Sequence, residues 1–353
     1  MRALALVDRE KFEIIDAPEP ERSAGEVLLA PKHVGICGTD VHVYMGEFEQ
    51  RIPYPAIMGH EFAGEIVEVP EEASERLLPG MPAAFDPVLP CGGCRLCQAG
   101  KLNQCLSVKT FGLDTDGAMA ELVSLPSDRV YALPKSVFPR QAPMLELYTV
   151  ALHALGRARL QPAESVVVLG AGRLGLSLVD LVAGSSPLLL VAVDVASNRL
   201  KLATKLGATH VLDAREANIA SKVKQLTDGL GADLVIEAVG DPEAIAEQPP
   251  PVHQAVQMLR PAGRILVMGQ GEKQHEFPWR ELVLKEGTVV TSRTSLGEMP
   301  RALKLMEKGM LNPDVIITHE FGIEEGPEVF AKLASGDKSM VKVVLNVSGW
   351  HES

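Results

Sequence analysis

One segment, Val166–Gly175, limits the folds open to this chain more than any other feature. An apolar run ends at Leu169 and leads directly into Gly170-Ala171-Gly172-Arg173-Leu174-Gly175, which has the pattern G-x-G-x-x-G. The first glycine permits a tight turn, the second lets the backbone approach a pyrophosphate, and the third lets a helix pack closely on the strand. The N-terminus of that helix faces the phosphates. The segment therefore predicts a strand, a phosphate-binding turn and a helix.

The region after Ser165 alternates apolar strand-like runs with amphipathic helical runs. Helices are predicted over Arg173–Ala183 and Asn198–Leu206, the second with Gly207 as its stop. Strands that alternate with helices pair in parallel and carry helices on both faces of the sheet. We therefore predict an α/β, Rossmann-type doubly wound parallel sheet over 151–295. The strand runs that support it are Ser165–Leu169, Leu188–Val193, Ala232–Ala238, Arg264–Met268 and Thr288–Ser292.

The first part of the chain has a different pattern. Residues 1–150 are rich in Gly and Pro, with short β-like runs between turn clusters, which is typical of an irregular, β-rich domain. The helical run Met299–Lys308 and the strand run Val341–Val347 are expected to rejoin it. A length of 353 residues fits two domains, which we place at 1–150 with 296–353 and at 151–295.

A carboxylate follows the glycine-rich turn at the expected distance. Asp194 ends the next strand run, where it can accept hydrogen bonds from ribose hydroxyls and would repel a 2′-phosphate. NAD is therefore favoured over NADP, although the nearby Arg199 would soften that preference. The alternative reading, ordinary turn glycines and a solvated cap, leaves the ordered succession of strand, turn, helix and acid unexplained.

Four of the five cysteines lie close together, at Cys91, Cys94, Cys97 and Cys105. The spacing C-x2-C-x2-C-x7-C brings four thiolates onto one folded loop, which suits a closed, structural tetrahedral Zn²⁺ site. An iron–sulfur cluster is disfavoured because the bacterial ferredoxin run has a shorter last spacing followed by Pro. Disulfides are disfavoured because the sequence shows no export signal, so that a reducing cytoplasm is expected.

Charge and hydropathy exclude some partners. The formal net charge is -12, and an acidic surface repels nucleic acid and anionic membranes. No run reaches the ~18 apolar residues of a membrane span. We therefore expect a small-molecule partner, with neither nucleic acid nor membrane.

A second metal site is suggested by two short, glycine-flanked segments. Cys37 lies within Gly35–His42, and His60 and Glu61 follow Gly59. One thiolate, one imidazole and one carboxylate suit a catalytic zinc with an open position for water or substrate.

The chain resembles the zinc-containing medium-chain dehydrogenases. The resemblance rests on Gly35–His42, Gly59–Gly64, Cys91–Cys105 and Gly170–Gly175, and extends through Ile317–Phe321 to the closing Lys342–Leu345. It implies a β-rich, GroES-like catalytic domain interrupted by a Rossmann domain, and an active site in the cleft. It also implies two zinc ions per chain, NAD as cofactor, and a homodimer or homotetramer.

The resemblance also implies roles for single residues. Cys37 and His60 resemble zinc ligands, Glu146 resembles the third ligand of polyol and threonine dehydrogenases, and Glu61 is the substitute for it. Asp40 is expected to orient a ligand. Thr39 is expected to take the proton from the bound alcohol and pass it through the ribose of NAD to His42. Arg293 resembles a substrate- or cofactor-contacting arginine, with a surface salt bridge as the alternative.

These features predict hydride transfer from a secondary alcohol to NAD⁺. The glutamate in the ligand set favours a polyol or sugar acid, with an L-threonine 3-dehydrogenase-like enzyme as the alternative. An alternative of another class is a non-catalytic, NAD-binding redox sensor.

Overall fold

The computed structural model describes residues 1–47, 51–216, 218–240, 248–270 and 276–351. The chain forms two compact units. The first comprises Met1–Thr149, Ser295–Gly309 and Ile317–Ser353, and the second comprises Val150–Thr294 and Met310–Ile316.

The structure places the segment Met310–Ile316 in the second unit, whereas the sequence-based division assigned it to the first domain. Its place in the second unit has a direct cause, because the carboxylate of Asp180 is buried there and needs partners. Asn312 donates a hydrogen bond to each oxygen of that carboxylate. Its backbone N–H donates to Asp180 Oδ2 at 2.8 Å, and its side-chain amide donates to Oδ1 at 2.7 Å.

The first unit is built on antiparallel strands. Its largest sheet has the order β10-β6-β5-β3-β18-β17, with β9 pairing with β3, and a smaller sheet has the order β2-β1-β4. Only β17 and β18 of this sheet pair in parallel. The strands of this unit are β1 (Arg2–Asp8), β2 (Lys11–Asp16), β3 (Glu26–Gly35), β4 (Ala56–Ile57), β5 (Glu61–Glu68), β6 (Pro82–Phe85), β7 (Val88–Leu89), β8 (Lys109–Thr110), β9 (Val123–Pro126), β10 (Val130–Ala132), β17 (Ile317–Gly322) and β18 (Lys342–Asn346).

One aromatic cluster of the first unit consists of Phe62, Phe85 and Phe111, whose ring centroids lie 5.2–5.8 Å apart. Phe62 is part of β5.

Short helices complete the first unit. The helices are α1 (Gly38–Tyr44), α2 (Arg95–Gln98), the start of α3 (Met144–Ala158), α9 (Met299–Glu307) and α11 (Gly326–Ala334), with 3₁₀ turns at Glu71–Ala73, Leu102–Gln104, Ser127–Arg129, Ile323–Glu325 and Ser348–His351.

The second unit contains a six-stranded sheet of order β13-β12-β11-β14-β15-β16, in which every neighbouring pair is parallel. This is the Rossmann order 3-2-1-4-5-6, so the predicted fold class, a doubly wound sheet with a β-rich domain, is confirmed. The strands are β11 (Ser165–Leu169), β12 (Leu189–Asp194), β13 (His210–Asp213), β14 (Ala232–Glu237), β15 (Leu259–Val267) and β16 (Thr288–Thr291).

The central strands are mostly apolar because both faces of a doubly wound sheet are covered; all residues of β11 and β12 are buried. Among the described residues, no helix combines the length and apolar composition needed to cross a membrane. The helices of this unit are the end of α3, α4 (Arg173–Ala183), α5 (Ser197–Lys205), α6 (Ile219–Leu226), α7 (Pro251–Met258), α8 (Trp279–Leu284) and α10 (Pro313–Ile316).

Candidate metal and cofactor sites

Strand register brings the first group of possible metal ligands together. Strands β3 and β5 pair antiparallel with Gly35 opposite Glu61. Cys37 follows β3, and His60 precedes β5, so the pairing places them side by side. The ligand atoms of Cys37, His60 and Glu61 all lie within 4.8 Å of one another.

Asp40, in the first turn of α1, lies close to both Cys37 and His60. Its side chain is completely buried. Oδ2 accepts the backbone N–H of Cys37 at 2.8 Å, and Oδ1 lies 3.5 Å from His60 Nδ1. Burial acts to lower the pKa of His60, but the charges of Asp40 and Cys37 outweigh it and raise that pKa well above its ordinary value. A carboxylate behind a ligand histidine fixes the orientation of its ring.

Glu61 has a buried cation as its partner. The ammonium of Lys342, the first residue of β18, forms an ion pair with Glu61 Oε2, and neither side chain has exposed surface. Lys342 also donates to the carbonyl oxygen of Ile36 at 3.1 Å. Burial lowers the pKa of Lys342 to about 8, against the opposing effect of the charges on Cys37 and Asp40. Sequence reasoning did not assign Lys342 a role, although a single charge within an otherwise apolar strand run is a detectable pattern.

Glu146 lies in the first turn of α3, outside the group of three ligand atoms. Burial raises the pKa of Glu146 to about 7, with a lowering effect from His60 and raising effects from Cys37, Asp86 and Asp40. These couplings place Glu146 within electrostatic reach of the group. Glu146 keeps some solvent-exposed surface, and a nearby cation would stabilise its charged form.

Thr39 and His42 are both carried by α1 but differ in their surroundings. The hydroxyl oxygen of Thr39 lies 3.7 Å from Cys37 Sγ. The His42 side chain is exposed, and its Nδ1 lies 2.7 Å from Glu47 Oε1. Thr39 is thus next to a candidate ligand and His42 is at the surface.

The four clustered cysteines form a second group, with all sulfur atoms within 4.8 Å of one another. Cys94 Sγ lies 3.5 Å from Cys97 Sγ and 3.9 Å from Cys105 Sγ. Four Zn–S bonds of about 2.3 Å in a tetrahedron require sulfur–sulfur distances of about 3.8 Å. The arrangement therefore fits one Zn²⁺ closely.

Backbone N–H groups favour the thiolate form of Cys94 and Cys105, whereas burial and the neighbouring thiols raise the pKa of Cys97 to about 12. The N–H groups of Cys91 and Ser107 donate to Cys105 Sγ at 3.3 and 3.4 Å. Backbone hydrogen bonds from Cys97 and Leu106 lower the pKa of Cys94 to about 6, and the bond from Cys91 lowers the pKa of Cys105. Zinc binds the thiolate form of cysteine.

The first group also fits a divalent cation. Glu61 Oε1 is buried and has no hydrogen-bond partner within the described ranges. Thiolate, imidazole and carboxylate donors are those of catalytic zinc sites, and a cation would compensate the buried acids.

The glycine-rich turn joins β11 to α4, as predicted. A Cβ on Gly175 would lie 1.8 Å from the carbonyl oxygen of Gly170, so only glycine fits at this close approach. Gly172 caps α4, whose first two residues are Arg173 and Leu174. The helix N-terminus and the turn therefore have the geometry of a phosphate-binding site.

Asp194 ends β12 beside this turn and is buried. Its Oδ2 accepts the N–H of Ala171 at 2.7 Å, and Oδ1 accepts the N–H of Ala196 at 2.8 Å. Since an ionised carboxylate accepts about four hydrogen bonds, both oxygens retain capacity for ribose hydroxyls. The guanidinium of Arg199 is 3.8 Å from Asp194 Oδ2. Arg293 is exposed and follows β16 in the second unit.

Comparisons with known proteins agree over most of the chain. Residues 23–135 match the family described as alcohol dehydrogenase GroES-like domain, and residues 175–308 match the family described as zinc-binding dehydrogenase. The chain is 32% identical to an L-threonine 3-dehydrogenase of Pyrococcus abyssi, over 94% of this chain and 95% of the relative. It is 31% identical to a sorbitol dehydrogenase of Halalkalibacterium halodurans, over 95% of both chains.

Two solved structures bear on the cofactor. An Escherichia coli alcohol dehydrogenase (rspB) complexed with NADH is 29% identical, with a TM-score of 0.88 over 98% of this chain and 99% of that one. A Sinorhizobium meliloti zinc-binding dehydrogenase bound to NADP is 26% identical, with a TM-score of 0.89 over 98% of each chain.

Proposed function

Because the chain belongs to the zinc-type medium-chain dehydrogenase family, we propose that it oxidises a secondary alcohol by hydride transfer to NAD⁺. The observation that carries the proposal is the proximity of the Cys37 thiol to the buried His60 imidazole, with the Asp40 carboxylate 3.5 Å from His60 Nδ1 and with Glu146 within electrostatic reach. One thiolate, one imidazole and one carboxylate leave a fourth position open for substrate.

We assign Glu146, rather than Glu61, as the carboxylate ligand. Glu61 already has the buried ammonium of Lys342 as its counter-ion. For Glu146, burial raises the pKa to about 7, so its charged form gains more from a cation. Glu61 then remains paired with Lys342 beside the ligands and does not bind the metal.

The proposed mechanism divides the reaction between the bound groups and the side chains. When bound, Zn²⁺ supplies a Lewis acid that lowers the pKa of the alcohol, and NAD⁺ accepts the hydride. We assign Thr39 as the first acceptor of the alcohol proton, which its distance of 3.7 Å from Cys37 Sγ supports. We assign His42 as the group that releases the proton to solvent, which its exposure supports.

We propose NAD rather than NADP as the cofactor. Asp194 would repel a 2′-phosphate, and the guanidinium of Arg199, 3.8 Å from that carboxylate, is partly neutralised by it. Gly170, Gly172 and Gly175, with the start of α4, are assigned to the pyrophosphate.

The proposed substrates are polyols or sugar acids, with Arg293 as a candidate contact. L-Threonine is the second candidate, which the 32% identity to a threonine 3-dehydrogenase supports. NAD⁺ reduction, followed by nicotinamide absorbance, should be measured with sorbitol, xylitol, galactitol, hexonates, L-threonine and butanediol. Turnover with one class and not with the others would identify the substrate.

Metal analysis tests the same proposal independently. The enzyme should contain about two zinc ions per chain, one in each type of site. A non-catalytic redox sensor of the same fold should hold one, at the four cysteines. Absence of turnover with every substrate while two zinc ions are bound would contradict the proposed activity. Light scattering will test the predicted homodimer or homotetramer.

A further inference from the structure

We propose that the ion pair between Arg51 and Asp114 is a clamp that holds the zinc ligand His60 in position, so that its loss weakens zinc binding at the Cys37–His60 site. The inference rests on the proposed function and deepens it. Neither Arg51 nor Asp114 is a candidate ligand; both are positioning residues.

The pair has the geometry of a strong ion pair. Arg51 Nε donates to Asp114 Oδ1 at 2.6 Å, and Nη2 donates to Oδ2 at 2.5 Å. Asp114 Oδ2 also accepts the backbone N–H of Thr110 at 2.7 Å. Only 15% of the Asp114 side chain is exposed. Burial acts to raise the pKa of Asp114, but the bonds from Arg51 and Thr110 lower it overall. The Arg51 side chain is 46% exposed, so the strength of the pair comes from its bidentate geometry and from the shielded Asp114 carboxylate, which set it apart from an ordinary surface ion pair.

On the Asp114 side, the pair holds a loop that supports the His60 segment. Three successive backbone N–H groups donate to three carbonyl oxygens just before His60, at 2.8–3.0 Å. A Cβ on Gly112 would lie 2.5 Å from the carbonyl oxygen of Gly59 and 3.1 Å from the backbone nitrogen of His60. The backbone at Gly112 is therefore in close contact with the backbone of Gly59 and His60. The three bonds run from Gly117 to Ile57, from Ala118 to Gly59 and from Met119 to Met58.

On the Arg51 side, the pair holds the start of the segment that leads to His60. Arg51 precedes the buried Ile52, and the segment continues through β4 to Gly59. The N–H of Ile57 also donates to Asp116 Oδ1 at 3.4 Å. The Arg51–Asp114 clamp therefore joins the beginning of the segment that leads to His60 to the loop that hydrogen-bonds with that segment.

Loss of the clamp should affect the metal more than the fold. Buried apolar side chains, including Ile52, Ile57 and Phe111, still anchor both segments in the core. Small shifts of the His60 backbone, however, change the distances among ligand atoms. Changes to groups that orient a metal ligand typically reduce metal affinity by about 10–100-fold, and we expect about tenfold here.

The test measures zinc transfer from the full-length, zinc-loaded protein to a chromophoric chelator. Asp114→Asn and Arg51→Gln should each weaken binding of one zinc by about tenfold, and the double variant should add little. Arg51→Lys, which keeps the charge without the bidentate geometry, should give an intermediate loss. The zinc at the four cysteines is an internal reference. Lys304→Gln, which removes an exposed 2.7 Å pair with Glu307, is the matched control.

The outcomes separate this inference from the proposed function. A two-zinc wild-type protein whose Asp114→Asn and Arg51→Gln variants retain both ions at wild-type affinity would overturn the inference alone. A wild-type protein with zinc only at the four cysteines would overturn the proposed function and the inference together. Equal weakening of both zinc ions would indicate a general loss of stability and would also overturn the inference. Cobalt substitution adds a second readout, because altered ligand geometry at the Cys37–His60 site changes the visible spectrum.

Discussion

The two candidate zinc groups are built in opposite ways. The four-cysteine group comes from one continuous stretch, Cys91–Cys105, and local backbone N–H groups favour the thiolates of Cys94 and Cys105. The other group joins the end of β3 and the start of β5, with Glu146 and Lys342 contributed by distant elements. The positions of the four sulfur atoms depend on the geometry of one loop. The positions of the other ligands depend on the pairing of β3 with β5 and on buried charges that are stabilised by their oppositely charged partners.

The largest expected effect is that of Cys37→Ala on turnover. A metal Lewis acid contributes several kcal/mol to the transition state, and each 1.36 kcal/mol corresponds to tenfold in rate. We therefore expect turnover to fall by about 10³-fold or more. One zinc should be lost, while NAD⁺ binding, measured by fluorescence titration, should be retained. Turnover near the wild-type level would show that Cys37 is a core residue and not a ligand.

Cys97→Ala should act on stability first. Cys97 is buried among the other three sulfur atoms, and structural zinc contributes folding energy directly. A loss of a few kcal/mol would lower the melting temperature by roughly 5–10 °C. Turnover per remaining catalytic zinc should fall by less than tenfold. If turnover instead collapses while the melting temperature is unchanged, the contrast between the two groups is wrong.

Variants of the buried ion pair Glu61–Lys342 test how much each charge depends on its partner for the stability of the fold. Lys342→Met leaves a carboxylate without its counter-ion, and breaking a buried pair costs about 3–5 kcal/mol. The double variant Glu61→Gln/Lys342→Met removes both charges and should recover much of that loss. Urea unfolding of the zinc-loaded variants measures both values. Equal stability of the single and double variants would mean that the two charges do not depend on each other.

The same contrast explains how much of the fold was predictable. The predicted helix Arg173–Ala183 has the same bounds in the structure, and β11 covers the predicted Ser165–Leu169. Both have strong local patterns, a glycine-rich start in one case and an unbroken apolar run in the other. The helix α3 was not predicted, and the segment Met310–Ile316 was assigned differently. That assignment depends on the bonds of Asn312 to Asp180, residues distant in sequence.

The candidate sites divide in the same way. The four-cysteine group is visible in spacing alone, because all its members share one loop. The proximity of Cys37, His60 and Glu61 follows from the register of β3 and β5, which local sequence does not specify. The ion pair of Glu61 with Lys342 depends on a strand about 280 residues further along the chain. The resemblance ranked Glu146 before Glu61 as a ligand, and the fold adds the physical reason, which is the counter-ion of Glu61.

A smaller effect is expected at the cofactor site, which should be independent of both metal groups. Asp194→Ser removes charged hydrogen bonds, each worth about 1.5–3 kcal/mol. The KM for NAD⁺ should rise by roughly tenfold or more, and use of NADP⁺ should improve because Arg199 loses its counter-ion. Zinc content should stay at the wild-type value. An unchanged NAD⁺/NADP⁺ preference would remove Asp194 from the cofactor site.

The smallest effect concerns the strand that leads to Cys37. Burial lowers the pKa of His33 on β3, with a further lowering by Arg140 and an opposing effect from Glu320. The folded state therefore binds fewer protons than the unfolded state below the ordinary value of 6.5.

This stabilising contribution is fully present above that ordinary pKa and is lost as the pH falls from it through the lower, folded-state pKa. Melting temperatures between about pH 8 and pH 5 should decline less steeply for His33→Gln than for the wild type. His210→Gln, at an exposed position, should follow the wild-type slope. Parallel slopes for all three proteins would show that the protonation of His33 does not contribute to the pH dependence of stability.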